Sequence, residues 1–210
     1  GTQQDWKLMI VAPIICAIFR LAFIWVYAPD KSFKNCKKKW YECFRYGFWW
    51  GMDYNAYVFL ISWLLISLPG AFFASYFAIG DSIRVIAITI YVAVLYFAFM
   101  GKMIFYSQFH DIFNNIVFLG QKAEKHNLVD VFFNQYHGAR KLALTLPYLV
   151  IIFVALQGIL AIPAISYPAI TGIAYYLVNT AIVLALIAAF YFFRYGGTFM
   201  HDNKPEWDTI

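Results

Sequence analysis

Four cations, Lys37, Lys38, Lys39 and Arg45, are interleaved with Trp40, Tyr41, Phe44, Phe48, Trp49 and Trp50. Lysine offers a point charge and arginine a two-pronged donor, which is the chemistry that holds phosphate oxygens. The same mixture suits a helix lying in a membrane interface, with its rings at the acyl boundary and its ammonium groups in water. An anchor to anionic lipid and a collector of anionic headgroups are both open readings. They differ in whether the cationic heads converge on a groove.

Asp53 follows this segment at the mouth of an apolar run, where a carboxylate needs a reason. Capping the helix through the N–H of Asn55 or Ala56 is one reason. Pairing with Arg45, Arg140 or Arg194 is another. His110, Asp111, Asn114 and Asn115 form a third polar group, and a helix could carry His110 and Asn114 on one face. It makes a poor metal site, because no second histidine stands at a helical spacing and His126 and His137 are distant in sequence. It reads as a hydrogen-bonded loop anchor.

Cys16 falls within an apolar run. Cys36 and Cys43 would lie about 10 Å apart on a helix, too far to bridge, although an extended and exported loop would let them meet. No Ser-His-Asp set, phosphate-cradling glycine loop or buried carboxylate pair can be read from the chain. No metal and no cofactor is therefore expected in it, and by itself it lacks the equipment of an enzyme.

These residues are carried by a chain whose solvent is largely lipid. Of its 210 residues 63% are hydrophobic and only 13% charged, against about 25% charged in a soluble domain, which excludes a soluble monomer. The 22 Phe suit lipid-facing positions, while the 16 Tyr and 7 Trp suit the headgroup level. A net charge of +5 then points to anionic lipid and not to nucleic acid.

Five runs are long enough to cross a hydrocarbon core: Leu8–Tyr27, Tyr54–Phe77, Ile83–Tyr106, Leu142–Pro163 and Pro168–Phe193. An isolated apolar run must satisfy its backbone within itself, so the fold class is all-α, a polytopic membrane protein. Pro13 and Pro69-Gly70 predict kinks. The short link from Pro163 to Pro168 predicts a tight hairpin of adjacent antiparallel helices.

The two long connections carry the polar chemistry. Ala28 to Asp53 is expected to hold an interfacial helix. Ser107 to Lys141 has Ile112, Ile116 and Leu119, then Leu128, Val131 and Phe132, at spacings that suggest two amphipathic helices broken near Gly120 and at Tyr136-His137-Gly138.

An odd number of spans puts the termini on opposite sides. Lys7 and Arg84 lie on the N-terminal side, whereas the cluster from Lys31 to Arg45, Lys102, Lys122, Lys125, Arg140, Lys141, Arg194 and Lys204 lie on the other. The positive-inside rule puts that second side, with the C-terminus, in the cytoplasm.

Three segments resemble the membrane region of the lipoteichoic acid synthase family. They are Phe44-Arg-Tyr-Gly-Phe-Trp-Trp-Gly-Met-Asp53 leading into a span that ends in Leu68-Pro-Gly70, Phe105-Tyr-Ser-Gln-Phe-His-Asp-Ile-Phe-Asn-Asn115, and Arg194-Tyr-Gly-Gly197. The resemblance implies a five-helix region, residues 1–197, in a bacterial cell membrane. Residues 198–210 would then begin a linker to an extracytoplasmic alkaline-phosphatase-like domain absent from this chain. In the family that domain uses a Thr nucleophile and a divalent metal, commonly manganese, to move glycerol phosphate from phosphatidylglycerol. The C-terminus would face outward, against the charge rule.

The resemblance further implies that this chain contacts phosphatidylglycerol. The candidate headgroup- and substrate-binding residues are Lys37, Lys38, Lys39, Arg45, Asp53, His110, Arg140 and Arg194. A non-catalytic assembly subunit, with membrane-protein partners or a second copy, is the alternative. A small transporter is a weaker one, since Arg20, Lys102, Gln157 and Asn179 are few polar groups to line a cavity.

Overall fold

The computed structural model describes residues 2–28, 34, 36–110, 129–166 and 170–195, and all secondary structure among them is helical. Helix α1 (Thr2–Met9) passes through a turn at Ile10 into α2 (Val11–Tyr27). Pro13 is the cause, since it has no N–H for the carbonyl of Met9 four residues earlier. The amide of Asn55, buried on the next helix, donates to that carbonyl at 3.5 Å. A neighbouring helix thus satisfies the freed oxygen, and the proline bends the span without ending it.

Helix α3 (Lys37–Ser62) continues through a π-helical turn (Trp63–Ser67) into α4 (Leu68–Phe72). Two expectations are corrected here. The aromatic and basic segment is not a separate interfacial helix: it is the first half of α3, so Asp53 lies inside a helix and does not cap one. The second span stops at Phe72 because Phe73 is extended, with φ −121° and ψ 109°. Helix α5 (Ala74–Phe109) then absorbs Gly80-Asp81-Ser82, which had the look of a connection. Pro69 sits in the first turn of α4, directly after the irregular π turn.

A second π turn (Val131–Gln135) precedes the break at Tyr136-His137, where His137 has a φ of 51°, and α6 (Gly138–Ala161) follows. Gly138 is needed there because a Cβ would stand 2.9 Å from the Phe132 carbonyl and closer still to its ring. Helix α7 (Ile173–Arg194) begins later than expected, so the link from Ile162 to Gly172 is longer than a tight hairpin turn. Asp111, Ile112, Asn114, Asn115, Ile116, Leu119, Gly120, His126, Leu128, Gly196 and Gly197 lie outside the described residues, as does the expected linker at 198–210.

Five helical segments are long and apolar enough to cross a bilayer: Thr2–Tyr27, Met52–Phe72, Ser75–Phe109, Gly138–Ala161 and Ile173–Arg194. Their patterning fits such a setting. Ile10, Ile14, Ile18, Leu21 and Trp25 form an exposed stripe at spacings of three and four, while Met52, Asn55, Ala56 and Phe59 turn the same periodicity inward.

The chain divides into two compact units, residues 1–85 with 158–210, and residues 86–157. In the first, α3 packs on α2 and α7 around Met9, Met52, Phe59 and Leu186. The Trp6 ring lies 5.1 Å from Phe59 and 6.2 Å from Phe193. In the second, Tyr96 and Tyr148 stack at 4.8 Å, and their hydroxyls donate to the carbonyls of Lys141 and Val92.

Candidate functional site

The charged residues of the first unit that are most thoroughly removed from solvent are Asp5 and Arg84, whose side chains are 0% and 2% exposed. An arginine in an apolar helix needs a partner, and Arg84 Nε donates to Asp5 Oδ1 at 2.7 Å. Its Nη1 donates to Asp81 Oδ1 at 2.8 Å, three residues back on α5, and its Nη2 donates to Ser67 Oγ at 2.7 Å. Asp5 is equally occupied: Ser62 donates to Oδ1 at 2.7 Å and Ser67 donates to Oδ2. Gln4 reaches the outer carboxylate, its Nε2 standing 3.4 Å from Asp81 Oδ2.

The π turn explains how two serines serve one carboxylate. Positions five apart lie on different faces of an α-helix at 3.6 residues per turn. A π turn is closed by i→i+5 bonds, as in Leu68 N–H to the Trp63 carbonyl, and it brings Ser67 over Ser62. Gly80 completes the arrangement, because its missing side chain leaves room for Arg84 Nη1 and the Ile66 methyl, each 3.2 Å from where a Cβ would be.

Helix α1 also closes the C-terminal end of α6, where carbonyls lack helical partners. Lys7 Nζ donates to the Ile162 carbonyl at 2.6 Å, and Gln3 exchanges two 2.8 Å bonds with the backbone of Ile165. The Asp5–Arg84 cluster therefore sits at a junction of α1, the π turn and α5. Chemically it is a clamp, since each charged oxygen and nitrogen that could meet a substrate already has a protein partner.

A second polar group lies on α3 and α7. Asp53 and Tyr57, four residues apart, share a face, and Arg194 in the last turn of α7 grips both. Arg194 Nη1 is 2.5 Å from Asp53 Oδ1, and Nε donates to the Tyr57 hydroxyl at 2.8 Å. The guanidinium also lies over the Tyr57 and Tyr195 rings at 5.3 and 5.6 Å. Of the partners expected for Asp53, the structure supplies Arg194. Replacing Asp53 by Asn and Arg194 by Gln, singly and together, should give a coupling energy of about 1 kcal/mol in detergent unfolding, whereas additive losses would mean that the pair contributes nothing.

Lys37, Lys38 and Lys39 stand exposed in the first turn of α3, and Arg45 is exposed further along it. Lys38 makes a surface pair with Glu42 at 3.8 Å. His110 follows the end of α5 with a φ of 49°, and Asn114 lies outside the described residues. Arg140 is exposed in the first turn of α6. No disulfide joins Cys16, Cys36 or Cys43, and among the described residues no cluster of three His, Cys, Asp or Glu side chains is placed to hold a metal ion.

The residues that sequence reasoning missed are Asp5, Ser62 and Ser67, with Arg84 noted only for its charge. The available signal was Arg84 itself, at the edge of a long apolar run. Compared with protein-family models, with curated proteins and with solved structures, the chain matches none.

Proposed function

We propose that the chain is the membrane part of a phosphoglycerol transferase of the lipoteichoic acid synthase type in a bacterial cell membrane. It anchors a catalytic domain at the bilayer and touches phosphatidylglycerol, the donor of glycerol phosphate. The observation that carries this reading is the contact of Asp53 with Arg194. These residues belong to two of the three short segments on which the family resemblance rests, and they are far apart in sequence. In this reading the pair fixes the end of α7, from which the chain leaves the membrane, against α3. The exposed Lys37, Lys38, Lys39 and Arg45, on the part of α3 that precedes Asp53, gather anionic headgroups. Thr and metal chemistry belong to the domain beyond Ile210.

The coding sequence after Ile210 is the first test. Several hundred further residues with a Thr nucleophile and metal ligands support the reading, and a stop codon overturns it. With the full-length protein, changing Lys37, Lys38 and Lys39 together to Gln should raise the KM for phosphatidylglycerol at least about fivefold at low salt, from charges worth about 1 kcal/mol each near the surface. The difference should shrink at high salt, where exposed charges are screened. Unchanged KM at low salt reduces the lysines to an anchor.

A further inference from the structure

Helices α2 and α3 enclose a cleft of about 220 Å³, lined by Pro13, Ala17, Arg20, Phe44, Phe48 and Met52. Its wall is apolar except for one group. Arg20 donates to the carbonyl of Cys43, and among the described residues that carbonyl is the one acceptor it reaches. Gly47 makes this possible: it stands four residues after Cys43, and the guanidinium occupies the place where its Cβ would be. Among the described residues the remaining N–H donors of Arg20 have no partner of their own, and the lining of the cleft carries no other charge.

The two ends of the cleft differ. Arg20 and Gly47 mark one end, and Pro13 and Met52 the other, about 8–10 Å further along the helices at 1.5 Å per residue. Met52 lies within the apolar segment Met52–Phe72, which is long enough to span a bilayer. The guanidinium end therefore points toward the Lys37 end of α3, and the apolar end points into the span. Phe48, 42% exposed, stands at the rim. Away from Arg20 the wall offers water no partners, and in a bilayer the neighbours of such a wall are acyl chains.

We infer that this cleft binds one anionic phospholipid of the surrounding bilayer, with an acyl chain between α2 and α3 and the phosphate on Arg20. Charge complementarity selects the headgroup, since a guanidinium with donors to spare binds phosphate oxygens through paired bonds. A zwitterionic lipid brings its own ammonium and competes less well. The site is separate from Lys37, Lys38 and Lys39 and does not rest on the transferase reading.

The test is native mass spectrometry of the purified chain in detergent with equimolar phosphatidylglycerol and phosphatidylcholine. The wild-type chain should retain phosphatidylglycerol over phosphatidylcholine by about tenfold, and R20Q should bring that ratio near one. A17F, which fills the cleft, should lose the bound lipid. R20K keeps the charge but not the paired donors and should give a ratio between those of the wild type and R20Q, which separates loss of the site from loss of the fold. The triple Lys→Gln chain should retain it fully. Equal retention of both lipids by the wild type, an unchanged ratio in R20Q, or a preference lost only in the triple Lys variant overturns the proposal. So does equal binding of soluble glycerol 3-phosphate, which has no acyl chain.

Discussion

Arg84→Met is expected to destabilise the first unit by about 3–5 kcal/mol, the usual cost of removing one partner of a buried pair. The loss has a specific origin. Without the guanidinium, the carboxylate of Asp5 keeps, among the described residues, the hydroxyls of Ser62 and Ser67 while its side chain remains 0% exposed. Asp81 loses its inner partner too, but it is half exposed and can turn to solvent. Removing the carboxylate as well should restore most of the stability, because an apolar pair of similar volume can replace a buried ion pair at little cost. Unfolding by sodium dodecyl sulfate in maltoside micelles, comparing Arg84→Met with Asp5→Leu/Arg84→Met, measures both. A loss under about 1 kcal/mol for the single variant, the range of exposed pairs, would show that the cluster is hydrated and not a clamp.

The second large effect is expected in the other unit. Helix α6 turns most of its side chains outward, and Gly138, Thr145 and Leu156 are its buried positions. Their spacings of seven and eleven place them on one narrow seam. Leu156 is the large side chain on that seam and is 0% exposed. Leu156→Ala should therefore cost about 2–5 kcal/mol, transfer and cavity terms together. Ile151, 66% exposed on the same helix, is the control, and its replacement by Ala should stay within about 0.5 kcal/mol. Equal effects of the two changes in detergent unfolding would mean that the seam is not what holds α6.

The apolar runs were legible because lipid-length hydrophobic stretches need no tertiary information, and all five reappear as helices of spanning length. Their ends were less so. Lys37 to Trp50 has the composition of an interfacial helix, yet nothing in it stops a helix, and the chain runs straight on through Asp53. Gly80-Asp81-Ser82 carries turn residues, but Asp81 and Arg84 pair at a helical spacing and Gly80 admits the Arg84 side chain, so the segment stays helical. The break falls instead at Phe73, which no local signal marks. Pro13 was read as a kink, and the partner of the carbonyl it frees, Asn55, is a tertiary fact.

Of the candidate site, the Asp53 and Arg194 pairing was among the readings open from charge alone. Asp5 with Ser62 and Ser67 was not, because the five-residue spacing of the serines fits neither helix nor strand periodicity until a π turn is allowed.

That π turn bears on how the chain tolerates changes in its own length. Ser62 and Ser67 share a face only because the turn holds one residue more than an α-helical turn would. A chain one residue shorter between them would place the serines four apart, the spacing at which an ordinary α-helix puts two side chains side by side. Both hydroxyls would still face Asp5, with the helix regular instead of bulged. Between Trp63 and Ser67, then, a single-residue deletion exchanges one helix type for another and leaves the clamp its geometry. A similar loss within Met52–Phe59 would turn buried Asn55 and Ala56 away from their places.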